Sequence, residues 1–453
     1  MRYGSFGIHR ACVVVSIGLL LSVAGCSGNS AETTSPKSTI AATPGEMTRK
    51  LVFPTAQPAP LAVAPTTPDA QTTATVQQYL KRLAAQGYAQ TAQGVWMQTG
   101  DTLLANHQGT TPLSAASLTK VATSLAALQT FGADHRFETI VGTTGTIQNG
   151  VLKGDLIVQG NGDPFFVWEE AIAVGNALSQ LGVKQISGDV IVSGQFYMNF
   201  EGDLAKSGAL FKQALNAQTW SSEAIAQYQT LPPGTPKPTI AVVGSIKQLS
   251  NLPSTFKPLL RHRSLPLAEL LKKMNRYSNN AMAEIIASTV GGAKMVSFKA
   301  AQASGVPQSE ILLINGSGLA EENRISPRAV CSMFLAIERY LKPMNLTIGD
   351  IFTIVGQDAG VLDGRKLPLY MVTKSGTLDA VSALAGALPT SSKGVVWFVI
   401  MNGGGANLDG FRASQESLLN SLANQWGTVP QSPTELIANR DRTNLKSLIE
   451  KAN

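Results

Sequence analysis

The spacing of apolar residues predicts that the ordered part of the chain begins near residue 73 with a helix and a hairpin. The helix is indicated by apolar positions three or four apart, at Val76, Tyr79, Leu80 and Leu83. Two short apolar runs, 94–97 and 102–104, flank a Thr-Gly-Asp turn and predict the hairpin. A longer helix is predicted from about 117 to 129, so this part of the chain mixes α and β structure.

The region from 138 to about 245 has a different pattern, rich in glycine with short apolar runs. Two of these runs, 156–158 and 190–192, each follow a Gly-Asp pair. Short apolar runs bounded by turn residues are typical of strands. We therefore expect small β-rich units inserted between the helical segments on either side.

Helical spacing returns after residue 260. The predicted helices are 265–273 and 279–289, two apolar strand segments follow at 370–377 and 394–401, and a last helix is predicted at 408–426. The residues after 427 are polar and predict a loose tail. The whole pattern predicts a chain that contains both helices and strands.

The first 26 residues have the pattern of a bacterial secretory leader. Basic residues precede a short apolar run at 11–25, which is too short to span a membrane comfortably. The run ends Leu-Ser-Val-Ala-Gly-Cys and resembles a lipobox, which implies that Cys26 becomes a lipid-carrying N-terminus. A plain cleaved signal with an incidental cysteine is the alternative. Residues 27–71 are rich in Ser, Thr, Ala and Pro and predict a flexible tether.

Composition narrows the class of protein without identifying it. The chain has 453 residues, of which 44% are hydrophobic and 14% charged, enough for more than one domain. The formal charge of +7 is scattered, which favours ordinary solubility over a nucleic-acid partner. Three cysteines do not make a disulfide framework, and no Cys/His spacing or Gly-rich helix start predicts a metal or another cofactor.

The helix predicted at 117 opens with Ser117-Leu118-Thr119-Lys120. Positions three apart on a helix share a face, so the Ser117 hydroxyl and the Lys120 amine can meet in one cleft. Serine is a weak nucleophile until a base takes its proton. Lysine can be that base when burial and a second cation lower its pKa.

Two later segments contain groups that would complete such a site. Ser278 can relay a proton to a leaving amine, and Asn280 can hold a substrate amide and position Lys120. On a predicted strand, Lys374 and Ser375 can bind a substrate carboxylate. The next residue, Gly376, lets the strand edge approach a ligand closely.

Each segment also has an ordinary structural interpretation. Ser117 can cap a helix, residues 278–280 can start one, and Lys374 can be a solvated charge. Two of the patterns recur elsewhere: Ser-x-x-Lys at 254–257 between prolines, and Lys-Ser-Gly at 206–208 without a strand before it. The three segments in this order and context favour catalysis.

With these motifs the chain resembles the low-molecular-mass class C penicillin-binding proteins, which are D-Ala-D-Ala carboxypeptidase/endopeptidases. The resemblance covers about 75–425 and is carried by the motifs and by residues 131–139, 154–164, 274–284, 315–324 and 374–386. Asn315 stands where the resemblance implies Asp, and Ser375 where Thr is commoner. The region between the first two motifs looks short for this family, so an accessory domain is expected to be trimmed or missing.

The resemblance implies a penicillin-binding/β-lactamase-like transpeptidase fold of the α+β class. An antiparallel sheet containing 370–377 and 394–401 is expected to pack against the N- and C-terminal helices, beside a helical subdomain that carries Ser117. The implied domains are a signal peptide at 1–26, a tether at 27–71, a catalytic domain at 72–139 and 246–428, an inserted β-rich domain at 140–245 and a polar tail at 429–453.

The implied function is a serine DD-peptidase that cleaves peptidoglycan stem peptides through an acyl-enzyme and is inhibited by β-lactam antibiotics. It would act at the extracytoplasmic face of the cell envelope, anchored through Cys26, without a cofactor. Backbone N–H groups of Ser117 and Thr377 would form the oxyanion hole. The implied catalytic residues are Ser117, Lys120 and Ser278, and the implied substrate-binding residues are Asn280, Lys374, Ser375, Gly376 and Thr377.

Two other functions stay open from the sequence. A β-lactamase or esterase of the same fold would need a base that activates water, and no residue suggests one. Residues 277–279 also resemble the Tyr-x-Asn element of class C β-lactamases, although the flanking residues favour Ser-x-Asn. A non-catalytic lipoprotein that binds the cell wall is the third function, and the intact set of motif residues speaks against it.

Overall fold

A computed structural model describes residues 68–442 and 444–452. Cys26, the predicted signal peptide and nearly all of the predicted tether lie outside these residues. The helices are α1 (Ala70–Ala85), α2 (Thr119–Phe131), α3 (Trp168–Gln180), α4 (Leu204–Ala214), α5 (Ser222–Tyr228), α6 (Leu267–Arg276), α7 (Asn280–Val290), α8 (Ala293–Ser304), α9 (Pro327–Leu341) and α10 (Leu408–Trp426).

The strands include several that are only two residues long. They are β1 (Gln93–Thr99), β2 (Thr102–His107), β3 (Leu113–Ser114), β4 (Glu138–Thr143), β5 (Thr146–Gln148), β6 (Val151–Lys153), β7 (Leu156–Asn161), β8 (Gln185–Ile186), β9 (Val190–Gln195), β10 (Ala241–Val242), β11 (Ile246–Leu249), β12 (Lys257–Arg263), β13 (Ile311–Leu312), β14 (Arg324–Ile325), β15 (Thr353–Ile354), β16 (Val372–Leu378), β17 (Val381–Thr390), β18 (Gly394–Gly403) and β19 (Leu448–Lys451).

The central sheet has six strands in the order β15-β16-β17-β18-β1-β2, and every neighbouring pair is antiparallel. Strand β18 shows why helices cover both faces. Val396, Phe398 and Ile400 belong to one buried cluster with residues of α1 and α10, whereas alternate residues belong to a second cluster with α2, α6, α7 and α9. Because side chains alternate across a strand, a strand that is apolar at every position needs cover on both sides.

This architecture confirms the predicted α+β fold. The strand segments at 370–377 and 394–401 lie in β16 and β18 of one antiparallel sheet, and α1 and α10 pack on it as expected. The last helix has the predicted bounds, Leu408–Trp426. On the other face, helices α2 and α6–α9 form the layer that carries the predicted nucleophile segment.

The inserted region contains more helix than its sequence predicts. Strands β11-β9-β7-β4-β12-β19 form a second six-stranded sheet, and β10-β8-β6-β5 form a smaller one. β7, β9 and β11 pair in parallel, and parallel neighbours need crossover connections, which here contain α3, α4 and α5. The sheet also includes β4 and β12, so its strands extend past the 140–245 range at both ends. These two strands lie where the chain enters the inserted region and where it leaves it.

The C-terminal segment packs on the rest of the chain, in contrast to the loose tail that its polar composition predicts. β19 pairs antiparallel with β12, so its backbone hydrogen bonds are made with a neighbouring strand. Leu436 is buried, and Arg442 forms ion pairs with Glu269 of α6 and with Asp134. Strand pairing and a few buried or ion-paired residues hold this segment in place. Neither feature can be predicted from the segment's polar composition.

Candidate active site

Ser117 lies in a tight turn that leads into α2. The 3₁₀ turn Ala116–Leu118 precedes the helix, and Ala116 has a φ of 45°, a value that side-chain-bearing residues rarely adopt. Two glycines fit against this turn. A Cβ atom at Gly318 would lie 1.8 Å from the carbonyl oxygen of Ala116, and one at Gly376 would lie 3.0 Å from the nitrogen of Ser117. The backbone at these two glycines therefore packs against the nucleophile turn from two sides, where a residue with a side chain would not fit.

Lys120 lies in the first turn of α2, one helical turn after Ser117. Its Nζ donates to Oγ of Ser117 at 2.9 Å, to Oδ1 of Asn280 at 2.7 Å and to the carbonyl oxygen of Ser317 at 2.7 Å. The side chain is fully buried. Three acceptors fix the amine beside the serine hydroxyl. The separation of Nζ and Oγ is within the distance that a proton transfer requires.

Burial lowers the pKa of Lys120 to about 7, and the Glu284 carboxylate opposes that shift. Burial also lowers the pKa of Lys374 well below its ordinary value, and the charge of Lys120 lowers it further. Two buried amines close to each other cannot both hold a proton without cost. With a pKa of about 7, a substantial share of Lys120 is neutral near pH 7, and the neutral form can accept a proton.

Ser278 lies between α6 and α7 with a φ of 51°. The next residue, Asn279, is the cap of α7 and accepts from the backbone N–H of Met282 at 2.9 Å. This leaves Ser278 and Asn280 for the cavity, while the side chain of Tyr277 is exposed. The segment thus serves as a helix start and as a site element at once, and the Ser-x-Asn register is the one that lines the cavity.

Strand β16 presents its motif residues alternately to its two faces. Ser375 and Thr377 line the cavity, whereas Lys374 and Gly376 face the start of α2 and the Ser278 turn. Nζ of Lys374 donates to Oγ of Ser278 at 3.0 Å and to the carbonyl oxygen of Ser375 at 2.6 Å. Its side chain is only 1% exposed.

One edge of β16 is open beside the cavity. The neighbouring strand β15 pairs only with Val372 and Thr373. From Lys374 onward, no strand of the described residues pairs with this edge. Unpaired strand edges bind extended peptides through backbone hydrogen bonds. A substrate peptide can therefore lie along β16 past Ser117.

The loop around Asn315 supplies the carbonyl that holds Lys120. Oδ1 of Asn315 accepts from the N–H of Gly318 at 2.9 Å and from Nδ2 of Asn323 at 2.8 Å. The Glu284 carboxylate accepts from the N–H groups of Gly316 and Ser317, at 3.0 and 2.8 Å. Asn315 acts through the side-chain oxygen that Asp would also provide, so its hydrogen-bonding role does not need a negative charge.

A cavity of about 370 Å³ opens beside these groups. Five of the residues predicted from the sequence line it, together with five that the motifs do not include: Val361, Leu362, Asp363, Arg365 and Arg412. These five come from the loop before β16 and from α10, and no short motif connects them. Glu284 and Asn323 were likewise not predicted as site residues, although both lie in segments that carry the family resemblance.

The structure also separates the motifs from their copies. Lys206, Ser207 and Gly208 belong to helix α4 and not to a strand, and Ser254 precedes β12 outside any helix. Neither copy lines the cavity. Within the described residues, no group of three or more His, Cys, Asp or Glu side chains converges to hold a metal ion. The polar side chains that line the cavity are four hydroxyls, the amide of Asn280, two guanidinium groups and the carboxylate of Asp363.

An antiparallel sheet with helices on both faces, and Ser117 with the buried Lys120 beside strand β16, define a penicillin-binding type of protein. The family model of the D-Ala-D-Ala carboxypeptidase 3 (S13) family matches residues 73–199 and 195–424. This match covers most of the chain, which belongs to that family. The expected family resemblance is thereby confirmed.

Individual proteins resemble the chain over most of its folded length. The D-alanyl-D-alanine carboxypeptidase DacB of Haemophilus influenzae is 25% identical over 394 residues, which cover 66% of this chain and 82% of that protein. Penicillin-binding protein 4 of Haemophilus influenzae superposes with a TM-score of 0.59 and 21% identity, over 77% of this chain and 99% of that one.

A further structural neighbour is the penicillin G-acylated Bd3459 predatory endopeptidase of Bdellovibrio bacteriovorus, in complex with immunity protein Bd3460. It has a TM-score of 0.63 and 19% identity, over 78% of this chain and 99% of that one. At this identity the two solved structures establish a shared fold.

Proposed function

We propose that this protein is a serine DD-peptidase that cleaves peptidoglycan stem peptides after D-alanine through an acyl-enzyme on Ser117. The observation that carries the proposal is the Ser117–Lys120 pair. The two side chains are 2.9 Å apart, and burial lowers the Lys120 pKa to about 7. A neutral amine at this distance is an effective base for a serine hydroxyl.

In the proposed acylation, Oγ of Ser117 attacks the carbonyl carbon of the penultimate D-alanine while its proton passes to Nζ of Lys120. Asn280 holds Lys120 in place through a 2.7 Å hydrogen bond. The backbone N–H groups of Ser117 and Thr377 stabilise the oxyanion. Such donors typically contribute on the order of 10²-fold or more to the rate.

The tetrahedral intermediate then collapses with cleavage of the C–N bond. The proton that Lys120 accepted passes through the hydroxyl of Ser278 to the leaving amine, a role supported by the position of Ser278 in the cavity with Ser117. The leaving group is D-alanine in a carboxypeptidase reaction or a second stem peptide in an endopeptidase reaction. Water hydrolyses the Ser117 ester and restores the hydroxyl. A penicillin would acylate the same oxygen by opening its β-lactam ring.

Digestion of purified muropeptides tests this function. We expect release of D-alanine from pentapeptide monomers, conversion of cross-linked dimers to monomers, or both, and loss of all activity after treatment with penicillin. The ratio of the two products measures the balance between carboxypeptidase and endopeptidase action. Rapid hydrolysis of penicillin without muropeptide cleavage would identify a β-lactamase instead. The absence of both activities and of penicillin labelling would support a non-catalytic wall-binding protein.

We further propose that the protein acts at the extracytoplasmic face of the cell envelope and is anchored through lipid on Cys26. The proposal rests on the lipobox-like residues 21–26, which lie outside the described structure. In the described part of the chain, none of the helices combines the length and apolar character that a membrane span requires. Cys26→Ser should release the protein from isolated membranes or leave it with an uncut leader. Equal membrane binding with normal processing would contradict the anchor.

A further inference from the structure

The cavity beside Ser117 contains a cation that none of the sequence motifs includes. Arg412 projects from α10 and lines the cavity with Ser117 and Thr377. Its Nη2 donates to Oγ1 of Thr377 across 3.4 Å, and its side chain is 34% exposed. The guanidinium thus lies beside the end of the motif strand and remains accessible from the cavity.

Lys374, the cation within the motif, is less suited to binding an anion. It is almost fully buried, and its Nζ donates to Ser278 and to the carbonyl oxygen of Ser375. Burial and the nearby Lys120 also lower its pKa, so its charged form is disfavoured. An amine in this state offers a substrate carboxylate less than a partly exposed guanidinium does.

The hydrogen bonds that Arg412 makes within the protein leave its guanidinium available to bind a ligand. Asp409 accepts from its Nη1 at 3.1 Å, but that carboxylate is 93% exposed, and exposed pairs contribute little. The neighbouring Arg365 differs, because it is mostly buried and pairs with Glu416 and Gln415. Its Nη2 donates to the backbone oxygen of Arg412 at 3.4 Å. The charge of Arg365 is compensated within the protein, and it supports the helical turn from which Arg412 projects.

We propose that Arg412 binds the C-terminal carboxylate of the substrate, with the hydroxyls of Ser375 and Thr377 as further donors. This assignment rests on the DD-peptidase function proposed above, since the residue after the scissile bond then ends in a carboxylate. A guanidinium is permanently charged and can bind a carboxylate through two parallel N–H···O bonds. Arg412 thereby sets a preference for peptides with a free C-terminus over amidated ones.

Two matched substrates isolate this role: diacetyl-L-Lys-D-Ala-D-Ala and its C-terminal amide. We expect Arg412→Ala to lower kcat/KM for the acid on the order of 10- to 100-fold, the range for losing a charged hydrogen bond. The amide should stay within about threefold of wild type. For the acid, kcat/KM of Arg412→Lys should lie between those of wild type and Arg412→Ala. Lysine keeps the positive charge but cannot donate two parallel hydrogen bonds. As the control, Asp409→Asn removes the neighbouring carboxylate and should not lower the activity on the acid.

A phenylboronic acid, which adds to an active-site serine without needing a carboxylate, counts the intact sites in each variant. Equal losses on both substrates would show that Arg412 only supports β16, and no loss on the acid would show that it does not bind the carboxylate; either result overturns the assignment. If wild type hydrolyses neither substrate and penicillin does not label it, the DD-peptidase proposal itself fails and the Arg412 assignment fails with it. The two failures are therefore distinguishable.

Discussion

At the scale of single residues, the site depends on amines kept away from water. Lys120 and Lys374 are both buried, and each is held by oxygen acceptors that fix its direction. Burying a charge is costly, and a lysine responds by releasing its proton more easily. The same burial that costs stability thus makes Lys120 a usable base, and its titration should be visible in the reaction.

The pH dependence of acylation should show this titration. Only neutral Lys120 accepts the Ser117 proton, and its pKa is lowered to about 7. Below that pH, kcat/KM for acylation by a chromogenic β-lactam should fall about tenfold per pH unit, and above it the rate should level off. Stopped-flow measurements between pH 5 and 9 would show the profile, with circular dichroism as the control for folding. A flat profile through this range would contradict the role of Lys120 as base.

At the scale of elements, the site is assembled from four separate segments. The turn before α2, the α6–α7 junction, strand β16 and the loop at 315–318 each contribute groups. Hydrogen bonds to the loop come from α2 and α7: Thr123 donates to the carbonyl of Gly316 at 2.7 Å, and Glu284 accepts two loop N–H groups. The loop is therefore a fixed support for Lys120, and weakening it should reduce catalysis without removing any catalytic group.

Substitution of Asn315 tests that support. Asn315→Ala removes the acceptor for the Gly318 N–H and for Asn323, so the carbonyl of Ser317 is held less firmly against Lys120. We expect kcat/KM to fall by about 5- to 10-fold, corresponding to one or two net hydrogen bonds. Asn315→Asp keeps the acceptor oxygen and should retain most activity, as the matched control. Wild-type activity in the alanine variant, or equal losses in both, would contradict this role.

The elements that could be predicted from the sequence are those with strong local signals. Helix α10 was predicted within its bounds, and the apolar runs of β16 and β18 gave the two strands that matter most for the site. Helix α3 was missed, although Trp168, Ala171 and Leu178 are buried at helical spacing, because the surrounding glycines favoured strands. Arg412 was missed for a different reason: its position depends on how α10 packs beside β16, and no local pattern records that packing.

At the scale of the whole molecule, the C-terminal segment connects the layer of helices α2 and α6–α9 with the inserted region. Arg442 joins Glu269 on α6 to Asp134, and β19 extends the inserted sheet at β12. Arg136, close to the start of β4, donates to the carbonyl oxygens of Ser264 and Lys446. These contacts lie where the chain passes from β12 of the inserted sheet into helix α6, which precedes Ser278.

Truncation of this segment should destabilise the protein. Ending the chain after residue 427 removes buried Leu436 as well as Arg442 and β19. We expect the free energy of unfolding to fall by at least about 2 kcal/mol, the contribution of one buried leucine side chain. A shorter truncation after residue 447 removes only β19 and should cost less. Urea denaturation measures both, and an unchanged midpoint in the longer truncation would contradict a structural role.

The central claim is that Ser117 is the acylated nucleophile, and mass spectrometry of the penicillin adduct tests it most directly. Intact protein should gain the mass of one penicillin, and peptide mapping should place it on Ser117. Ser117→Ala should show no adduct. Ser254→Ala, which alters the other Ser-x-x-Lys sequence, should be labelled like wild type. An adduct on any other residue, or undiminished labelling of Ser117→Ala, would contradict the account.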